Sequence, residues 1–216
     1  MKKCLFLMLC LFLFFYSSAQ KNKKNRLVYQ GFSGGMLLHT GYVWSNTFEV
    51  SDGDGRIRDY IRSGFPFGIG GKIHFLFGKH LRFGGEGYST NLHFKDKSYC
   101  ATGWGGLLID CIWQKKVVSP YVGFTFGGGS QKTLVLPDNF NDQNNTSDIY
   151  FHKFGFLALV PFCGMEIKAT QKIKVNIKVD YLLNLSNWQK DFVTGPRLYI
   201  GVLFTTLSKK SLSAGL

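Results

Sequence analysis

The chain has only one long hydrophobic run, and that run is too short to anchor it. Cys4 to Tyr16 are 13 consecutive apolar residues, against the roughly 18–20 that a helix needs to span a bilayer. No later run is long enough for a membrane helix, so a helical membrane protein is excluded. Cysteine is scarce. Cys4 and Cys10 lie in the run, which leaves Cys100, Cys111 and Cys163 beyond it. Three is an odd number and makes no disulfide framework, and none of the three stands at metal-site spacing from a histidine. Acidic residues are also few, 13 against 26 Lys and Arg. Charged residues, at 18%, barely exceed aromatics at 16%, and there are 26 Gly and 21 Phe. That composition excludes disorder, collagen, coiled coil and a charged soluble bundle. A length of 216 residues suits one domain plus something removable.

The removable part is legible. Lys2 and Lys3 precede the apolar run and Ser17-Ser18-Ala19 closes it, which is the layout of a secretory signal peptide cleaved between Ala19 and Gln20. Bulky Leu9 before Cys10 argues against a lipoprotein. Removing residues 1–19 takes away two lysines and lowers the net charge from +13 to +11.

The mature chain alternates. Ile173, Val175, Ile177, Val179 and Tyr181 are separated by Lys174, Asn176, Lys178 and Asp180. Side chains of a strand point to opposite faces in turn, so one face is apolar and the other ionic. The pattern recurs seven more times. Phe32, Met36 and Leu38 oppose Ser33 and His39, while Ile69, Ile73 and Phe75 oppose Lys72 and His74. Leu81 and Phe83 oppose Arg82 and Glu86, and Leu107, Ile109 and Cys111 oppose Gly106 and Asp110. Val122, Phe124 and Phe126 oppose Tyr121 and Thr125, and Cys163, Met165 and Ile167 oppose Phe162, Glu166 and Lys168. Leu198, Ile200, Val202 and Phe204 oppose Arg197 and Tyr199. The pattern predicts an all-β fold, an eight-stranded antiparallel up-and-down transmembrane β-barrel, with its apolar face toward lipid and its polar face inward.

The connections support that arrangement. Short links at 78–80, 114–116 and 169–172 alternate with long polar ones near 46–63, 92–98, 131–149 and 184–194, as in barrels with short periplasmic turns and long external loops. Lys21, Lys23, Lys24, Arg26, Lys79, Lys115, Lys116, Lys172, Lys209 and Lys210 collect at the short-turn end without an acid. The positive excess is therefore mostly a collar at one rim, suited to anionic headgroups, and not a nucleic-acid patch. Tyr42, Trp44, Phe77, Trp113, Tyr181 and Phe204 fall near strand ends, as interfacial girdles do.

Gly31-Phe32-Ser33-Gly34-Gly35-Met36, Gly84-Gly85-Glu86-Gly87-Tyr88, Gly103-Trp104-Gly105-Gly106-Leu107 and Gly195-Pro196-Arg197-Leu198-Tyr199 resemble segments of small outer-membrane β-barrel proteins of Bacteroidetes-type bacteria. A leader ending in Ala19-Gln20 is similar to theirs. In architecture the chain is similar to the OmpA/OmpX-like eight-stranded class. The resemblance covers nearly all of the mature chain and implies no activity or catalytic residue. The division it suggests is 1–19 signal peptide, 20–206 barrel and 207–216 C-terminal tail. The tail is a departure, since such barrels often end on the aromatic of the last strand, here Phe204.

A barrel of about eight strands is filled by its own side chains, and buried charges are costly unless paired. Lys72, His74, Arg82, Glu86, Asp110, Glu166, Lys174, Lys178, Asp180 and Arg197, with Lys168, are therefore predicted to form an ion-paired plug. His39 and His74 point inward, where they could join Glu86 or Asp110. Other motifs are weak. Asp52-Gly53-Asp54-Gly55 lacks the closing Glu of a calcium loop. Neither Gly68-Ile69-Gly70-Gly71 nor Gly127-Gly128-Gly129-Ser130 opens a helix as a phosphate cradle must.

The expected protein is a non-enzymatic barrel in the outer membrane of a Gram-negative bacterium, without cofactor or metal. Its partners would be outer-membrane lipids and a surface partner met through the loops at 46–63, 131–149 and 184–194, with no nucleic acid. Two alternatives stay open. A lipid-modifying enzyme would need a His beside a Ser or Asp at the outer rim. A soluble periplasmic ligand-binding barrel would need the apolar sets to line a cavity.

Overall fold

A computed structural model describes residues 28–51, 57–93, 98–135, 150–186 and 189–207. The segment expected to be a signal peptide, the expected C-terminal tail, the Asp52-Gly53-Asp54-Gly55 motif and most of the third long loop lie outside the described residues.

Eight long strands form: β1 Tyr29–Gly41, β2 Phe67–Phe77, β3 Leu81–His93, β4 Tyr99–Ile112, β5 Val118–Val135, β6 Tyr150–Lys168, β7 Ile173–Tyr181 and β8 Pro196–Leu207. Each pairs antiparallel with the next in the chain. β8 then returns to β1, with Gly31 opposite Leu207 and Gly41 opposite Arg197. The sheet closes into a barrel, so it has no free edge. Among the described residues there is no helix.

Alternation decides the faces as the sequence pattern predicts. Met36, Leu107, Ile200 and Phe204 are outward and exposed, Leu107 at 72%, whereas Lys178 and Asn176 are fully buried. Lys168 is a correction. At the last position of β6 it lies at the turn rim and is exposed, because the lumen ends before it and water is within its reach.

The tight turn after β2 depends on Gly78, whose φ of 61° suits a residue without a Cβ. Other glycines make room inside. A Cβ on Gly164 would lie 2.6 Å from the Tyr121 hydroxyl, and one on Gly70 would strike the Tyr88 ring. Gly164→Val should therefore destabilise the barrel by about 1–3 kcal/mol through overpacking. Gly103→Ala, whose added methyl meets open space, should stay within about 0.5 kcal/mol of the parent. Urea midpoints followed by tryptophan fluorescence would read both.

Among the described residues, the long-loop end carries more strand than a set of polar loops suggests. β5 and β6 run on for 18 and 19 residues, nearly twice the roughly 9–11 that a tilted strand needs to cross a membrane. Residues 131–135, predicted as loop, are thus strand. In the first long connection Phe48–Ser51 pairs with Ile57–Tyr60, and buried Phe48 packs with Val135 and Tyr150 against the projecting β5–β6 hairpin. The last long connection turns inward. Asp191, Phe192 and Val193 are buried, and Phe192 meets Phe156 at a ring separation of 5.0 Å. Hydrophobic burial of that segment caps the mouth.

Candidate functional site

The interior is a stack of charge and aromatic layers. In the layer nearer the short turns, Arg82 is held by both oxygens of Asp110, at 2.5 and 2.8 Å, and donates to Glu166 across the lumen. Lys174 donates to the other oxygen of Glu166 at 2.9 Å. The layer nearer the loops is built on Lys178, which is 2.8 Å from Glu86 and 3.3 Å from Asp180. Asp180 also accepts from Arg197 at 2.8 Å. Two of these pairs face each other in register on adjacent strands, Arg82 with Asp110 and Asp180 with Arg197. The longer-range pairs cross the lumen.

Aromatic rings complete the coordination of the cations. The Lys178 ammonium lies 4.3 Å from the Tyr199 ring centre and 4.7 Å from that of Tyr88. The Arg197 guanidinium lies 5.0 Å from Trp104. Desolvated cations over ring faces gain an attraction that water would otherwise screen. Apolar side chains fill the rest, Leu37, Val160, Leu182 and Leu203 in one cluster and Leu108, Ile112 and Phe162 in another. Small cavities of about 20 and 40 Å³ are left at the two ends.

Not every predicted member joins the ion pairs. Lys72 faces Glu86 directly across β2 and β3, yet Glu86 is taken by Lys178 and by the Thr125 hydroxyl at 2.6 Å. Lys72 instead donates to Asn176 at 3.0 Å and stands over the Tyr121 ring. His39 meets neither Glu86 nor Asp110. Its Nε2 is 2.8 Å from the Thr90 hydroxyl, and its ring lies against Tyr199. His74 contacts Arg82 at 3.1 Å and lies 3.8 Å from Glu166.

One pairing has no counterpart in the sequence pattern. His152, on the loop-end stretch of β6, places Nδ1 3.0 Å from the Asp191 carboxylate. Asp191 is buried, and its carbonyl accepts from Gln131 at 2.7 Å. In the sequence His152 marks only the place where a long loop meets a strand. Asp191 carries no signal there, because no periodicity governs a loop. Tyr88 and Trp104 are lumen residues that the charge pattern passes over. Counting by twos from Glu86 and Asp110 finds them.

The Gly68–Gly71 and Gly127–Ser130 segments lie within β2 and β5 and form no cradle. Cys100, Cys111 and Cys163 are free.

Fold and interior together define a small, closed, side-chain-filled β-barrel of eight antiparallel strands. No family model matches the chain, and no curated protein matches it. Solved structures do. Neisserial surface protein A superposes with a TM-score of 0.55 at 14% identity, over 81% of this chain and 96% of that one. Ail of Yersinia pestis, solved with the heparin analogue sucrose octasulfate, gives 0.46 at 15% identity over 82% and 99%. The N-terminal barrel of Pseudomonas aeruginosa OprF gives 0.41 at 11% over 80% and 99%. The superposition with the neisserial protein establishes a shared fold and nothing more.

Proposed function

We propose that the protein is an exported outer-membrane barrel, anchored by its lipid-facing wall, closed to solutes by its plug, and acting without catalysis as a structural or surface-interaction protein. The observation that carries this reading is the inversion of polarity. Met36, Ile73, Leu107, Phe124, Ile200 and Val202 face outward, while Lys178, Glu86, Asp180 and Arg197 are sealed within. So large a contiguous apolar surface is not tolerated in water, and hydrocarbon removes the cost. Aromatic side chains rim the long-loop end. Tyr42 stacks near Trp44 and Phe65, and Trp44 near Tyr181, as rings do at a headgroup boundary. The kinship with Bacteroidetes-type barrels belongs to the same reading and rests on the glycine-aromatic segments.

The soluble alternative loses its premise, because the apolar sets point outward and do not line a cavity. Cell fractionation tests the choice. The protein should pellet with outer membranes, need detergent for release, and migrate differently on gels before and after boiling. Recovery from the soluble periplasm without detergent would sink the proposal. The projecting β5–β6 hairpin and the first-loop hairpin packed on it are the surface offered to a partner.

A second reading, a lipid-modifying enzyme, is favoured by one observation, the His152–Asp191 pair at the loop end. With Nδ1–H donating to a buried carboxylate, Nε2 is the basic nitrogen, as in hydrolytic dyads. On the non-catalytic reading the pair only pins the last loop over the mouth. Lipid A masses should then be identical in strains carrying the parent, His152→Gln and no protein. A mass change restored by the parent but not by His152→Gln would establish catalysis.

A further inference from the structure

The two charge layers are not equally balanced. Around Lys178 two cations, Lys178 and Arg197, meet two anions, Glu86 and Asp180. In the layer toward the short turns, Arg82 and Lys174 pair with Asp110 and Glu166, while Lys72 bonds Asn176 and has no acid of its own. One positive charge is left over on that side. At the short-turn end lies the cavity of about 40 Å³, lined by Ser33, His74, Arg82, Gln114, Lys174 and Thr205 among others. That volume has room for about three waters.

The polar lining presents donors. Arg82 can only donate, so its 3.1 Å contact with His74 makes Nε2 the acceptor and puts the imidazole proton on Nδ1. His74 is 2% exposed, and Nδ1 finds no acceptor among the described residues. An N–H without a partner in a buried position is costly. Lys174 spends one donor on Glu166, and its side chain is 25% exposed, which makes the cavity reachable from the rim. The Ser33 and Thr205 hydroxyls, 2.9 Å apart, have at least one proton free for a ligand.

The mouth is ringed by further cations. Gln114 donates to the Lys79 carbonyl at 3.2 Å, and the Thr205 amide donates to the Lys172 carbonyl at 2.8 Å. Lys79 and Lys172 are thereby fixed on opposite sides of the opening, with exposed Lys115 and Lys116 next to Gln114. No described acid lies among the turns that form this rim.

We infer that this end of the barrel binds a phosphate group, with one or two of its oxygens entering between His74, Lys174, Ser33 and Thr205 and the rest held under the rim lysines. Charge-assisted bonds to phosphate oxygens are the strong ones, and one monoanion neutralises the layer. An anionic phospholipid of the inner leaflet and free phosphate both supply such a group. The lipid source rests on the outer-membrane reading, whereas the free anion does not.

The test uses the full mature chain with ¹⁵N-labelled histidine, refolded in maltoside micelles, whose headgroups carry no phosphate. Inorganic phosphate, against chloride at matched ionic strength, should shift the His74 signals saturably. Lys174→Gln should weaken binding by about tenfold. The isosteric Thr205→Val, which keeps the backbone bond to Lys172, should weaken it severalfold. Nanodiscs of phosphatidylglycerol, compared with nanodiscs of a galactolipid that carries no phosphate, should reproduce the shift without free phosphate if lipid is the source. A shift in micelles alone assigns the site to the free anion. No shift in either setting, or one indifferent to both variants, overturns the inference. Pelleting and heat-modified migration stand apart from these outcomes and report on the membrane reading alone.

Discussion

Arg82→Leu should be the most damaging single substitution in the barrel wall, costing about 3–5 kcal/mol of stability, because it strips two buried carboxylates of their main partner. Asp110 and Glu166 are essentially inaccessible to water. Lys174 still reaches Glu166, but Asp110 has its ion pair with Arg82 and would lose it. Replacing all three with leucine should recover most of the loss, since an apolar core of similar volume carries no desolvation penalty. Urea titrations of vesicle-inserted protein, read by the fraction running as the folded band, would show the single variant's midpoint well below that of the triple variant. Equal midpoints for the parent and Arg82→Leu would mean that these carboxylates are not sequestered.

Leu107→Arg should be nearly as costly in a bilayer and almost silent in water. Leu107 is outward, 72% exposed, and flanked in register by Gly85 and Phe126, which puts it in the middle of the outer wall. An arginine near the bilayer midplane of such a barrel costs roughly 2–4 kcal/mol. An arginine on the surface of a soluble barrel changes stability by only about 0.5 kcal/mol. Folding yield into lipid vesicles, compared with Leu107→Ala, measures the difference. An unchanged yield would argue that this face does not meet hydrocarbon. The two substitutions probe opposite sides of one wall.

Much of this architecture is readable in the residue order. Ile173 to Tyr181 alternates without a break, and the structure makes it a strand with Val179 exposed and Lys178 and Asp180 buried. Register on adjacent strands is half-legible. Arg82 lies opposite Asp110 although the two strands are joined by the long connection at 92–98, so their register follows from matching the inward faces and not from a tight turn. Proximity along the sheet is a poorer guide to the ion pairs. Lys72 and Glu86 are cross-strand partners, yet Glu86 is won by Lys178, 92 residues away. The third long loop is shorter than its polarity suggests, because Gln131 to Val135 is polar enough to pass for a connection. In the fold its inward residues are covered by the last loop, so Gln131 can serve as a buried strap for Asp191 and Val193.

The amino-acid order alone determined the strands, their two faces and the end at which the positive charges gather, since these are properties of a local period of two and of loop lengths. Closure of the sheet decided which ions meet. Bringing β3 opposite β6 and β7 across a side-chain-filled lumen sets the partners by distance and ring placement, which no one-dimensional pattern encodes. The same closure drew Asp191 onto His152 and left His74 with a proton to donate.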